Sequence, residues 1–338
     1  MRVRLGVLFE EWGLLGNVLV LLASLVVLDR ASDWAIVNSI KVADITGVGR
    51  TTIGFILVAF STSLPELCVS IFAALGGESM GIAVGNVLGS NIVNICLILG
   101  VCFLAAALKG SETIKIVPAM AKEEIGTLYF GLFVASVVPL ALLYIGYIGY
   151  ASRIIGVILL AIFVFYTYQL SKVKTLKEEG SLGGERHKLP KYTFFALLGV
   201  VLVVASSYFI VDSATYIALN VGVPPVVIGS TIVAFGTSLP ELATSFDATQ
   251  KGHLDLALGN IVGSCFINIT CILGVTLIGS PLAVNMTAFS QLVMFSLITN
   301  LLLWYFLSSE KISWREGAIL LVMYAIFLAT SFGGYQQT

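Results

Sequence analysis

Two glutamates, Glu66 and Glu241, lie in otherwise apolar surroundings that repeat along the chain. Residues 53–66 (IGFILVAFSTSLPE) align without gaps to residues 228–241 (IGSTIVAFGTSLPE), with ten identities in 14 positions. A carboxylate within an apolar span costs about 3 kcal/mol or more, and such residues usually mark a functional path. Pro65 and Pro240 have no N–H to donate, so the carbonyls of Ser61 and Gly236 lose helical partners and the backbone beside each acid opens. Thr62 and Ser63 precede Glu66 by four and three residues, on the same helical face, and Thr237 and Ser238 precede Glu241 in the same way. Two carboxylates and four hydroxyls therefore converge if the two copies meet.

A second duplicated motif supplies another polar face. Residues 85–94 (GNVLGSNIVN) match 259–268 (GNIVGSCFIN), which places Asn86, Ser90 and Asn94 on one stripe and Asn260, Ser264 and Asn268 on its counterpart. Gly85/Gly89 and Gly259/Gly263 have the small-xxx-small spacing that lets helix backbones approach closely. Every candidate ligand atom is oxygen, and two carboxylates would neutralise a divalent ion. This suits hard cations such as Ca²⁺ or Na⁺, Ca²⁺ taking roughly six to eight oxygens. Single Ser, Thr and Asn residues in spans usually serve as helix glue, and it is the duplication that raises these above that reading. Asn86 and Asn260 stand between packing and ligation. No Lys or Arg falls near the middle of a span to pair with either glutamate. Asp247 reads as the partner of Lys251 in a solvated i,i+4 pair, Asp29 and Asp212 as helix caps or anchors, and His187 and His253 as loop residues.

The elements that must carry these residues are membrane helices. Of the 338 residues 58% are hydrophobic and 11% charged, and the mean hydropathy is +1.01, far outside the range of soluble domains. The net charge of −1 offers no basic field for nucleic acid. The five cysteines sit in apolar runs without metal-ligand spacing, which suggests packing. The N-terminal run is broken by Glu10 and Glu11 and reads as mature sequence, not a signal peptide. With roughly 20 apolar residues needed per crossing, the chain offers ten spans: 12–28, 51–75, 79–108, 125–143, 147–171, 191–219, 224–248, 253–279, 286–307 and 313–333. The one long polar connector, 172–190, separates an N-terminal five-helix repeat (1–171) from a C-terminal one (191–338). On this map 15 of the 18 Lys and Arg fall on one side, leaving Arg2, Arg4 and Arg153 on the other. Basic residues stay cytoplasmic, so both termini are expected outside and the linker inside. An odd number of crossings per half makes the repeats inverted, with helices 2, 3, 7 and 8 broken around a midplane site.

The paired TSLPE and GNxxGSxxxN segments resemble the α-repeats of sodium/calcium exchangers, within the calcium/cation antiporter superfamily, over essentially the whole hydrophobic chain. The resemblance implies a ten-helix antiporter of the cell membrane whose central site takes Na⁺ and Ca²⁺ in turn. Its implied ligands are the side chains of Thr62, Ser63, Glu66, Ser90, Asn94, Thr237, Ser238, Glu241 and Ser264 and the carbonyls of Ala59 and Ala234. Asn268 completes the candidate set. Some relatives, including potassium-dependent ones, carry aspartate there, so asparagine argues against K⁺ transport. Cys265 stands where the first copy has Asn91, and Ser61 where the second has Gly236. No cofactor is implied, and a monomer is expected.

Two glutamates that repel each other are costly to leave ionised in an empty dry site. The empty carrier should resist switching, while Ca²⁺ or several Na⁺ would permit it. An intramembrane hydrolase is disfavoured because neither His nor Asp joins Ser63 or Ser238. A cation channel would call for a ring about an axis, and proton/Ca²⁺ exchange is the nearer alternative.

Overall fold

The computed structural model describes residues 9–46, 62–75, 80–108, 114–115, 122–145, 151–172, 187–252, 254–280, 282–308 and 311–333. They form helices α1 (Gly13–Thr46), α2 (Leu64–Leu75), α3 (Met80–Leu108), α4 (Lys122–Ile145), α5 (Ala151–Lys172), α6 (Leu189–Val221), α7 (Pro225–Thr237), α8 (Leu239–Gln250), α9 (254–279), α10 (Met286–Ser308) and α11 (Trp314–Gly333). Among the described residues the sole strand pairing is a two-residue antiparallel bridge, Ile114–Lys115 with Lys311–Ile312.

Seven of these helices are long and apolar enough to cross a bilayer, and the α7–α8 pair, bent by 47°, makes an eighth. Leu64–Leu75 and the apolar stretch Phe130–Tyr144 are shorter. The described helices fall where hydropathy places spans, with one clear exception. The first span, expected to end at residue 28, is a helix that continues to Thr46. Asp29 is therefore in mid-helix, 3.8 Å from Arg30, and does not cap it. Asp212 likewise lies inside α6, nine residues before its end. Helix α1 packs along α6 because Gly199 leaves room: a side chain there would meet the Ala35 nitrogen at 2.6 Å and the Ala31 oxygen at 2.8 Å. Trp34 meets Phe195 edge-on at 6.0 Å, and Lys41 lies 5.0 Å over the Tyr192 ring.

Glycines set the other close crossings. In α3, Gly85 and Gly89 lie against the α7 backbone at Val226, Gly229 and Ser230. Farther along, Gly100 meets Gly317 of α11 while Gly274 of α9 meets Gly156 of α5. Gly100 and Gly274 occupy matching positions of the duplicated sequence. No described atom comes within 4 Å of a side chain built at Gly259, and its expected partner segment, 51–61, lies outside the described residues.

Three short π-helical turns interrupt the ladder: Val93–Ile98 in α3, Gly229–Val233 in α7 and Asn268–Ile272 in α9. Such turns widen a helix locally and concentrate at functional sites. Asn94 and Asn268 each supply the carbonyl that receives the N–H five residues on, from Leu99 and Leu273. All five cysteines are free thiols, four of them buried. Asp247 and Lys251 form the expected exposed pair at 2.6 Å. His187 is exposed just before α6, and His253 lies outside the described residues.

Candidate functional site

The helix breaks beside the duplicated glutamates come two residues before the prolines. Ser238 leaves helical geometry at ψ 8°, and α8 begins at Leu239, which puts Pro240 in the first turn. There its missing N–H costs no hydrogen bond. In the other copy Ser63 is the turn residue and α2 begins at Leu64. Each glutamate consequently occupies the first turn of its helix, where the positive end of the helix dipole favours a carboxylate.

These two helix starts meet, and they exchange contacts. Ser63 Oγ donates to Glu241 Oε1 at 3.3 Å, and Ser238 Oγ donates to Glu66 Oε1 at 3.2 Å. The hydroxyl preceding each acid thus serves the acid of the other copy. Thr62 joins Ser63 at Glu241, and Thr237 joins Ser238 at Glu66. Ser264 of α9 donates to Glu241 Oε1 at 3.4 Å, and Ser90 of α3 lies 3.5 Å from the Thr237 hydroxyl. Exposure of Thr62, Ser63, Glu66, Ser90, Thr237, Ser238, Glu241 and Ser264 ranges from 0 to 2%. The site is closed to solvent on every side.

The remaining candidates lie beside this cluster. Asn268 is buried and donates to Asn91 Oδ1 at 3.0 Å, and Asn91 donates onward to the Cys265 carbonyl at 3.5 Å. Asn94 is buried against the Cys265 thiol, and its amide makes no hydrogen bond. The Ala234 carbonyl accepts from the Ser238 N–H at 3.1 Å and from Thr237 Oγ1 at 3.3 Å. Ala59 lies outside the described residues.

Two serines escaped the sequence reading. Ser70 and Ser245, each four residues past its glutamate, take hydrogen bonds from Asn86 at 3.1 Å and Asn260 at 3.0 Å. Their signal was available, since both repeat at the same offset beyond TSLPE.

The buried oxygens without a donor show what the site lacks. Glu66 Oε2, Glu241 Oε2, Asn94 Oδ1 and Asn268 Oδ1 are inaccessible and make no hydrogen bond, and among the described residues neither glutamate has an ion pair. Orphaned carboxylate oxygens in a dry interior are costly, and a cation is the partner that satisfies several at once. No cluster of three or more His, Cys, Asp or Glu occurs among the described residues, so the donor set is two carboxylates with neutral oxygens, the chemistry of hard ions.

A helical, multi-pass membrane protein with a closed, doubly acidic, oxygen-lined centre belongs to the class of ion-translocating proteins. The chain belongs to the sodium/calcium exchanger protein family, whose pattern matches residues 16–172 and 191–333, omitting the polar connector. It is 32% identical over 353 aligned residues to the sodium/calcium exchanger MaX1 of Methanosarcina acetivorans, covering 94% of this chain and 98% of that protein. It is 34% identical over 321 residues to the putative antiporter CaxA of Alkalimonas amylolytica, covering 90% and 94%. The sodium-calcium exchanger NCX_Mj, solved after soaking with Na⁺ and Sr²⁺, superposes with a TM-score of 0.63 at 29% identity, over 94% of this chain and 99% of that one. The family is one of transporters, not of catalysts.

Proposed function

We propose that this protein exchanges Na⁺ for Ca²⁺ across a membrane by alternating access, with the Glu66–Glu241 centre as the shared cation site. The observation that carries this reading is the reciprocal bonding of Ser63 to Glu241 and Ser238 to Glu66, with both Oε2 atoms left without a partner. The same few oxygens must serve both ions, so one has to leave before the other binds, and this makes transport an exchange. The ligands are Thr62, Ser63, Glu66, Ser90, Asn94, Thr237, Ser238, Glu241, Ser264 and Asn268, with the carbonyls of Ala59 and Ala234. Bound cations cancel the two negative charges that otherwise hold the dry centre in a costly state, and the neutralised site can pass between faces.

The architecture we assign is ten crossings in two inverted halves, 1–171 and 191–338, joined by a cytoplasmic linker at 172–190, with both termini outside a cell membrane. The duplicated motifs, the matched Gly100–Gly317 and Gly274–Gly156 crossings and the exchange of serine bonds support it. Proton/Ca²⁺ exchange is the second reading, favoured by the absence of any basic partner for the glutamates among the described residues. Protein in liposomes loaded with Na⁺ should take up radiolabelled Ca²⁺ at fixed pH, and E66Q and E241Q should each abolish that uptake. Coupled exchange persisting in both variants would remove the site, while uptake driven by a pH gradient and indifferent to Na⁺ would favour the proton.

A further inference from the structure

The two halves of the centre make matching serine bonds but not matching asparagine bonds. In the first half both ends of the Asn86 amide are hydrogen-bonded. Its Nδ2 donates to the Glu66 carbonyl at 3.3 Å and to Ser70 Oγ at 3.1 Å, and its Oδ1 accepts from Thr237 Oγ1 at 3.0 Å. Asn260, its counterpart, repeats the donor side, to Ser245 Oγ at 3.0 Å and Thr244 Oγ1 at 3.1 Å. The acceptor side differs: Asn260 Oδ1 is screened from solvent and receives no hydrogen bond. The threonine that corresponds to Thr237 is Thr62, and its hydroxyl is directed to Glu241.

The difference matters because a hydroxyl has one proton and two lone pairs. It can offer a lone pair to a cation only while its proton points elsewhere. Thr237 Oγ1 donates to Asn86 Oδ1 at 3.0 Å, an acceptor that can hold its proton and leave the oxygen ready to ligate. Both threonines also face a carboxylate, Thr237 that of Glu66 and Thr62 that of Glu241, but only Thr237 donates to the asparagine of its pair.

We propose that Asn86 and Asn260 are positioning residues that accept the proton of a ligand threonine in turn, Asn86 from Thr237 in the closed conformation described, which leads to one face, and Asn260 from Thr62 in its counterpart, which leads to the other. This rests on the alternating-access reading above, in which inverted halves trade roles. Each asparagine then sets cation affinity at one face of the membrane and is neutral at the other.

The experiment uses N86A, N260A, T237V and the N86A/T237V double variant in vesicles of defined orientation, with half-saturating Ca²⁺ and maximal Na⁺-driven rate measured at each face. N86A should raise half-saturating Ca²⁺ about three- to tenfold at one face, the worth of one hydrogen bond, with less than a twofold change at the other. N260A should show the reverse, and N86A should add nothing in the T237V background. Asn86→Gln, which displaces the acceptor by one methylene, serves if the alanine variant does not fold, with the same one-sided loss expected. Equal losses at both faces, or additivity with T237V, would overturn the proposal by marking the asparagines as packing residues. A wild-type protein showing no Na⁺-dependent Ca²⁺ uptake would instead overturn the antiporter reading.

Discussion

Asn268 sets the charge of the centre at two carboxylates, and its amide is committed as a donor to Asn91 Oδ1 at 3.0 Å. Asn268→Asp removes that donor and sets a third buried anion against an amide oxygen. A buried charge left without a partner costs about 3 to 5 kcal/mol, so the variant should melt well below wild type in chelator without Na⁺. Saturating Na⁺ or Ca²⁺ should recover most of the difference, because a ligand bound only to the folded state stabilises it; thermal scans with and without cation check this. The serine exchange makes a second prediction. Ser63→Ala and Ser238→Ala each remove one of the proposed oxygen ligands together with its bond to the opposite carboxylate, so both should weaken Ca²⁺ binding in calorimetry by roughly tenfold, about 1.4 kcal/mol, and by similar factors. If one variant binds as wild type does, the two bonds are not equivalent. The glutamates and their hydroxyls were legible in the sequence because a duplicated polar cluster has no packing explanation in an apolar span. The partner of each hydroxyl was not, because which copy Ser63 serves depends on how two distant helix starts meet.

Hydropathy marked nearly every described helix, yet it failed at α1 for an identifiable reason. A hydropathy window reports where lipid ends, and a helix supported by a neighbour continues past that point. Helix α1 is 34 residues long, about 51 Å at 1.5 Å per residue, against a hydrocarbon core of about 30 Å, and α6, with 33 residues, accompanies it. The π turns were equally hidden, since one extra residue per turn leaves no compositional trace. Small-residue spacing was legible in the sequence. A Cβ on Gly89 would collide with the backbone of Ser230. Gly89→Ala should therefore push α3 away from α7, drawing Ser90 and Asn86 off Thr237, at about 1 to 3 kcal/mol and with most exchange activity lost. Thermal stability and Ca²⁺ uptake of the variant check this, and a variant as stable and as active as wild type would mean that the crossing is not tight.

In the arrangement proposed above, charge distribution sets how the molecule sits in the membrane. Lys41 lies toward the C-terminal end of α1, and Lys188 and Lys191 lie at the start of α6. Lys41 over Tyr192 brings these two basic ends together, as antiparallel neighbours require. The connector 172–190, which with its flanking lysines holds six Lys or Arg, leads directly into α6, so basic residues distant in sequence meet at this end of the α1–α6 pair. In the ten-crossing arrangement proposed above, retention of basic residues in the cytoplasm would orient the whole bundle and put both termini on the opposite side. Four of the five native cysteines are buried and Cys68 is half-buried, so a cysteine introduced at an exposed position should dominate labelling by a charged, impermeant maleimide. Gly180→Cys should react in inside-out vesicles and stay unmodified in right-side-out ones, and Thr338→Cys should behave in the opposite way. Reaction of both from the same side would require an even number of crossings between them, which a five-helix half cannot supply, and the inverted arrangement of the glutamates would fall with it.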